Sequence, residues 1–157
     1  MSADPATTEP RYELSITRLM DVPRDLVWRA WTERLVDWWC PKPWTTEVIE
    51  NDMRPGGRSA MIMRGPNGEE SAMEGVFLDV VPGERVVFTN AFTAGWAPQT
   101  PFMVGIMTFA DEDGKTRYTG TARHWDETSM RTHEAMGFVD GWSIVAEQLE
   151  AVASEMR

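Results

Sequence analysis

Two side chains in the second half of the chain, Tyr118 and His124, carry polar groups that could bind or act on a small molecule. Both occupy even positions of the segment 116–125, whose odd positions from 117 to 123 are Arg or Thr, so strand alternation predicts that they share an inward face. An inward phenol and imidazole would orient a ligand or form an acid/base pair near neutral pH. The alternative is a structural histidine, hydrogen-bonded to backbone or to the C-terminal helix. The sequence leaves both interpretations open.

The sequence contains no motif that is typical of other kinds of catalytic site. The chain has no Gly-x-Ser-x-Gly elbow and no Gly-x-Gly-x-x-Gly loop, and its one Gly-Lys-Thr sequence, at 114–116, lacks the earlier glycine of a phosphate-binding Gly-x-x-x-x-Gly-Lys-Ser/Thr loop. Cys40, beside Trp39 and Pro41, has no assignable base and is interpreted as an inert buried thiol. His133 is predicted to be at least partly exposed, and the two histidines lack zinc-ligand spacing. We therefore assign no catalytic residue, metal or cofactor, and expect a protein that is not an enzyme.

The composition of the chain limits which binding partners and which cellular location are expected. The chain has 157 residues, with 15 basic and 25 acidic side chains and a net charge of −10. That balance disfavours nucleic acid and anionic membranes, which require concentrated Lys and Arg. A single cysteine suits a reducing compartment, and with no apparent secretory signal it predicts a cytoplasmic protein. We expect a disordered lead-in at 1–10 and one domain over 11–157.

Tryptophan and methionine are unusually frequent, with eight and eleven copies respectively. Tryptophan supplies large rigid apolar area, and methionine fills irregular space adaptably. These residues form either a solid core or the wall of an internal cavity for an apolar ligand.

Short apolar strands separated by turns occupy most of the chain. Alternation and Gly/Pro punctuation predict strands at about 11–20, 44–50, 58–64, 71–81, 84–92, 101–110 and 116–125. Pro23 suits the first turn of one short helix, and a second carries Trp38 and Trp39. After Asp126, a candidate N-cap, the pattern is helical to the end. An apolar stripe runs along that helix through Phe138, Trp142, Val145, Leu149, Val152 and Met156.

These elements predict an α+β fold, in which a curved antiparallel sheet wraps around the long C-terminal helix. The motif order strengthens that prediction: Trp-Trp-x-Pro at 38–41, Arg-Pro-Gly-Gly at 54–57, Gly-Pro-x-Gly at 65–68, Glu-Gly-x-x-Leu at 74–78, Glu-Arg-Val-Val-Phe-Thr at 84–89 and Gly-Phe-x-x-Gly-Trp at 137–142. Together they resemble the START-like or SRPBCC superfamily, with its birch-pollen-allergen-like helix-grip fold. Within it, the chain is similar to bacterial proteins named after the C-terminal domain of the heat shock protein 90 ATPase activator.

The resemblance implies a hydrophobic ligand cavity between sheet and helix. Strand alternation turns Met61, Met63 and Phe88 inward, and the resemblance favours Met103 and Met107 on the same face. Inward Gly105 and Gly120 are expected to leave volume unfilled. Trp96 lies in the loop 93–100, which is either a lid or a surface loop pinned by one aromatic. The predicted ligand-binding residues are Trp39, Met61, Met63, Phe88, Trp96, Met103, Met107, Tyr118 and His124.

Three functions are weighed on this basis. The first is binding of a small apolar or aromatic ligand. The second is a chaperone-interaction module in the stress response, resembling the heat shock protein 90 ATPase activator. The third is a cyclase or dehydratase type of enzyme using Tyr118 and His124. Separately, Phe102, Val104 and Ile106 predict an apolar outer patch on strand 101–110, which a homodimer would cover.

Overall fold

A seven-stranded antiparallel sheet forms the larger part of the structure, a computed structural model that describes residues 12–157. The predicted lead-in at 1–10 lies outside the described residues. The strands are β1 (Glu13–Met20), β2 (Thr45–Asn51), β3 (Arg58–Arg64), β4 (Glu70–Val81), β5 (Arg85–Thr89), β6 (Phe92–Thr93), β7 (Ala97–Pro98), β8 (Met103–Glu112) and β9 (Lys115–His124). The large sheet has the order β1-β9-β8-β5-β4-β3-β2, and β6 pairs with β7 separately.

Three helices complete the fold: α1 (Arg24–Glu33), α2 (Glu127–Ala135) and α3 (Phe138–Glu155). Pro23 precedes α1 as its N-cap, and the second short helix is a single 3-10 turn at Leu35–Asp37. Asp126 caps α2 as predicted, since its side chain accepts a hydrogen bond from the backbone N–H of Ser129 at 2.7 Å. None of the helices in residues 12–157 is long and apolar enough to cross a bilayer.

The sheet holds α3 through its apolar stripe and through two ion pairs of Arg18, with Glu147 and Glu150. Phe138 and Leu149 are fully buried on the side of α3 that faces the sheet. Arg18 of β1 adds a charged link, because its Nε lies 2.7 Å from the Glu150 carboxylate. The fold is therefore α+β with a helix-grip architecture, and it confirms the prediction.

The C-terminal helical region is divided, whereas the sequence predicted uninterrupted helix from Asp126 onward. Gly137 has φ +89°, a left-handed conformation that an L side chain rarely adopts, and it ends α2 before α3 begins. The break turns α2 back along β9, and this return is what buries His133.

The strand predicted at 84–92 ends earlier, at Thr89. The Asn90 side-chain oxygen accepts hydrogen bonds from the backbone N–H groups of Phe102, at 2.9 Å, and Met103, at 3.2 Å. A side chain thus replaces the sheet ladder at this point. The chain then forms the small β6–β7 hairpin before it returns as β8.

The outer apolar patch is smaller than predicted. Phe102 does not lie on it, because its ring packs against His124 and His133 at centroid distances of 5.6 and 4.9 Å. Val104 and Ile106 do face outward, but Arg123 and Thr121 of β9 lie directly beside them. A homodimer on this face stays a prediction.

Candidate functional site

A cavity of about 620 Å³ lies between the concave face of the sheet and α3. Its wall is mostly apolar. Aromatic and methionine side chains of the wall are Trp31, Trp38, Trp39, Trp44, Met61, Met63, Met73, Phe77, Phe88, Phe102, Met103, Met107, Tyr118, Met136, Phe138 and Trp142. Glu74 is the one charged carboxylate in the wall formed by the described residues, and it pairs with Arg58 through two contacts of 3.0 and 2.9 Å.

The structure places most of the predicted site residues together. The wall contains Trp39, Met61, Met63, Phe88, Met103, Met107 and Tyr118. Two placements need correction. Trp96 is 57% exposed and packs against Phe92 and Gly56, outside the cavity wall that the described residues form. His124 is not among the lining residues, and it contacts the wall residues His133 and Phe102.

Two strand glycines have a different role from the one predicted. A Cβ on Gly105 would lie 2.5 Å from the Phe88 ring, and one on Gly120 would lie 3.1 Å from the Trp142 ring. These glycines therefore admit aromatic rings and do not leave empty volume. Gly141 of α3 is the contrasting case, because a Cβ there would meet nothing within 4 Å and the residue lines the cavity.

An aromatic cluster closes one end of the cavity. Trp31, Trp38 and Trp39 pack with ring centroids 5.5–6.0 Å apart. The indole N–H of Trp31 donates to the Tyr118 hydroxyl at 3.4 Å. Burial raises the pKa of Tyr118 well above its usual value, so the phenol stays neutral and is a poor proton carrier.

Gln148 of α3 holds the segment that follows this cluster. Its side-chain nitrogen donates to the backbone oxygens of Trp38, at 3.0 Å, and Cys40, at 2.9 Å. Its side-chain oxygen accepts from the backbone N–H of Lys42 at 3.1 Å. One amide therefore fixes three backbone groups, and it sets the position of this cavity wall relative to α3.

A pair of histidines lies at the other end of the cavity. Nε2 of His124 is 2.9 Å from Nδ1 of His133, and both rings are 8% exposed. Nδ1 of His124 lies 2.8 Å from the backbone oxygen of Tyr12. Burial, and secondarily the neighbouring His124, lowers the pKa of His133 to about 4.

Sequence reasoning placed His133 in a partly exposed position, and the structure corrects this. The ring contacts Phe102, Phe138 and Trp142, all of which also line the cavity. Strand alternation predicts the orientation of strand residues only, and His133 lies on a helix. The left-handed break at Gly137 was not predicted. Recognising that break would have indicated that α2 packs back against the sheet.

Tyr118 and His124 do not form one reactive pair. They lie on the same strand, six residues apart. Successive residues of a strand advance by ~3.3 Å, so about 20 Å separates the two positions. Both groups cannot reach the same bond of a ligand. Tyr118 and His124 therefore do not form the acid/base couple that the cyclase or dehydratase hypothesis requires.

The low pKa of His133 predicts an acid-sensitive fold. The unfolded chain takes up a proton near the ordinary histidine value of ~6.5, whereas the folded chain does so only near pH 4. Stability should therefore fall as the pH drops from about 6.5 to 4. Carboxylates titrate in part of this range too, so the measurement is urea unfolding of wild type against His133→Phe. The variant should lose less stability across this window, and equal losses would contradict the assignment.

The fold and the cavity define a class: a START-like helix-grip protein with an apolar internal cavity. The family model for Activator of Hsp90 ATPase homolog 1-like proteins matches residues 21–154, and the chain belongs to this family.

Solved structures agree with that assignment. A crystal structure of a Nitrosomonas europaea protein is 34% identical with a TM-score of 0.85, covering 92% of this chain and 95% of the other. A Mycobacterium smegmatis protein is 26% identical with a TM-score of 0.76, covering 92% and 95%. A Silicibacter pomeroyi AHSA1 protein, 19% identical with a TM-score of 0.69 and coverage of 92% and 99%, shares the fold. No curated protein matches the chain by sequence.

Proposed function

We propose that this protein binds a small apolar or aromatic molecule in the cavity between the sheet and α3. The observation that carries the proposal is the cavity itself, with a volume of about 620 Å³ and a wall of aromatic and methionine side chains. Pockets of ~300–1,000 Å³ with this kind of lining are usual for small-molecule sites. The ligand-contacting residues would be the seven predicted residues in the wall, joined by Phe102, Phe138 and Trp142. A cytoplasmic location is part of the same proposal.

The test is native mass spectrometry of protein purified without denaturation. A bound molecule should appear as a discrete mass added to the 17.8 kDa chain, and it should disappear after denaturation and refolding. The refolded protein should then take up apolar aromatic probes in equilibrium dialysis. Protein that carries no added mass and takes up none of the probes would overturn the proposal.

A second candidate is interaction with a chaperone of the Hsp90 type. The description of the family favours it, and so do the exposed apolar side chains of Trp125, Met136 and Val139, which are 51%, 72% and 53% exposed. The discriminating measurement is the ATPase rate of a purified Hsp90-type chaperone with and without this protein. An increase that Trp125→Ser and Val139→Ser abolish would support the chaperone hypothesis, since neither residue lines the cavity. An unchanged rate would leave ligand binding as the function.

A further inference from the structure

The two histidines form a chain of hydrogen bonds whose direction can be assigned. A backbone carbonyl only accepts, so the 2.8 Å contact with Tyr12 requires the proton of His124 to be on Nδ1. In the neutral ring, Nε2 of His124 is then an acceptor. Nδ1 of His133, 2.9 Å away, must be the donor to it. Both neutral imidazoles therefore carry their proton on Nδ1.

This assignment leaves Nε2 of His133 as a bare acceptor. Within residues 12–157, Nε2 has no hydrogen-bond partner, and no side-chain nitrogen or oxygen there is both fully buried and unpaired. Nε2 therefore keeps some accessible surface although His133 is 92% covered, and His133 is one of the residues that line the cavity. Burial keeps the ring neutral, because it lowers the pKa of His133 to about 4.

The surroundings of Nε2 restrict what can bind there. Phe102, Phe138 and Trp142 enclose the ring at centroid distances of 4.9, 5.1 and 6.0 Å. An aromatic ligand can stack or pack edge-on in such a cluster. The described wall contains no Lys or Arg, so a carboxylate or phosphate would find no cation and would face the lone pair of Nε2.

We propose that Nε2 of His133 is the acceptor that orients the ligand, and that the cavity selects neutral aromatic molecules carrying a hydroxyl or N–H donor, phenols above all. His124 is a positioning residue, which acts by holding the tautomer and the orientation of His133. The inference deepens the proposed function and rests on it. The phenol of a ligand stays protonated at neutral pH, since its ordinary pKa is ~10.

The first experiment needs no variant. The chain contains two histidines, so long-range proton–nitrogen NMR spectra of the whole protein resolve just two imidazoles. At a pH of about 7.5, both should show a protonated Nδ1 and a bare Nε2. A His133 ring with its proton on Nε2 would overturn the inference, whatever the cavity binds.

The second experiment compares three probes by equilibrium dialysis: hydroxypyrene, its methyl ether methoxypyrene, and pyrene. Methoxypyrene has almost the same shape as hydroxypyrene but lacks the donor, so it would cover Nε2 without forming a hydrogen bond to it. One hydrogen bond corresponds to roughly a tenfold preference for hydroxypyrene over methoxypyrene. The preference should disappear in His133→Phe, which keeps an aromatic ring in the cluster.

His124→Phe is the matched control, because it leaves His133 in place but removes the acceptor for Nδ1–H. The variant should weaken the preference for hydroxypyrene over methoxypyrene. Its NMR spectrum should show that His133 is no longer restricted to the tautomer protonated on Nδ1, a change that a purely structural role of His124 would not produce. Failure of all three probes to bind, in protein that also carries no co-purified molecule, would refute the proposed function itself. Equal binding of hydroxypyrene and methoxypyrene to wild type would leave cavity binding intact and overturn the role of His133.

Discussion

Gly141→Phe is expected to stabilise the protein and at the same time to weaken its binding of an aromatic probe. Gly141 lies three residues after Phe138 and four before Val145, on the side of α3 that faces the sheet. A Cβ at this position would enter open space. Removing a helical glycine gains ~0.5–1 kcal/mol, which raises the melting temperature by about 2–4 °C in a chain of this size. The added ring would occupy cavity volume and reduce hydroxypyrene affinity by roughly 10- to 100-fold.

Gly141→Ala is the control for this prediction, since a methyl group gives at least the same helix benefit with little loss of cavity volume. Thermal unfolding and equilibrium dialysis should therefore separate the two effects: both variants gain stability, but only the phenylalanine variant loses binding. Undiminished binding in Gly141→Phe would place the ligand elsewhere, and a lower melting temperature would show that the space beside Gly141 is closed.

Trp31→Ala should be the most damaging single truncation. The side chain is 2% exposed, packs against Trp38 and Trp39, and donates to Tyr118. Large-to-small changes of this kind cost ~3–5 kcal/mol, because they remove apolar contacts and leave a void. The loss corresponds to a fall in melting temperature of about 6–20 °C. The buried Tyr118 hydroxyl would also lose its donor, which adds to the cost.

Trp125→Ala provides a matched comparison, because Trp125 is 51% exposed and the chemical change is identical. Its effect should stay within about 0.5 kcal/mol. Differential scanning calorimetry of the two variants checks the prediction. Similar melting temperatures for both would mean that the aromatic cluster at the closed end of the cavity is not a main source of stability.

The sheet and much of the cavity wall were predictable because a strand has a period of two. Once Arg58 and Arg64 are placed outside, alternation puts Met61 and Met63 inside, and both line the cavity. The same rule applied to β4 would have added Met73, which pairs directly with Met61. The order of turns likewise predicted the antiparallel sheet, although β5 ends at Thr89, earlier than predicted.

The rest depended on contacts that local patterns do not contain. The space beside Gly105 is filled by the Phe88 ring of the neighbouring strand. The loop of Trp96 was predicted to be either a lid or a surface loop pinned by one aromatic, and the contact of the indole with Gly56, forty residues earlier, favours the second. His133 was predicted to be at least partly exposed, on a final helix that the sequence showed without a break. In each case the outcome was set by a long-range contact rather than by spacing along the chain.

The distribution of tryptophan gives the protein a built-in optical reporter. Five of the eight indoles, those of Trp31, Trp38, Trp39, Trp44 and Trp142, line the cavity. A bound polycyclic molecule would lie close to several of these fluorophores at once, and its absorption band overlaps their emission. Occupancy should therefore quench the intrinsic ultraviolet emission and transfer energy to the guest. Unlabelled protein is thus sufficient to screen a library of compounds by fluorescence.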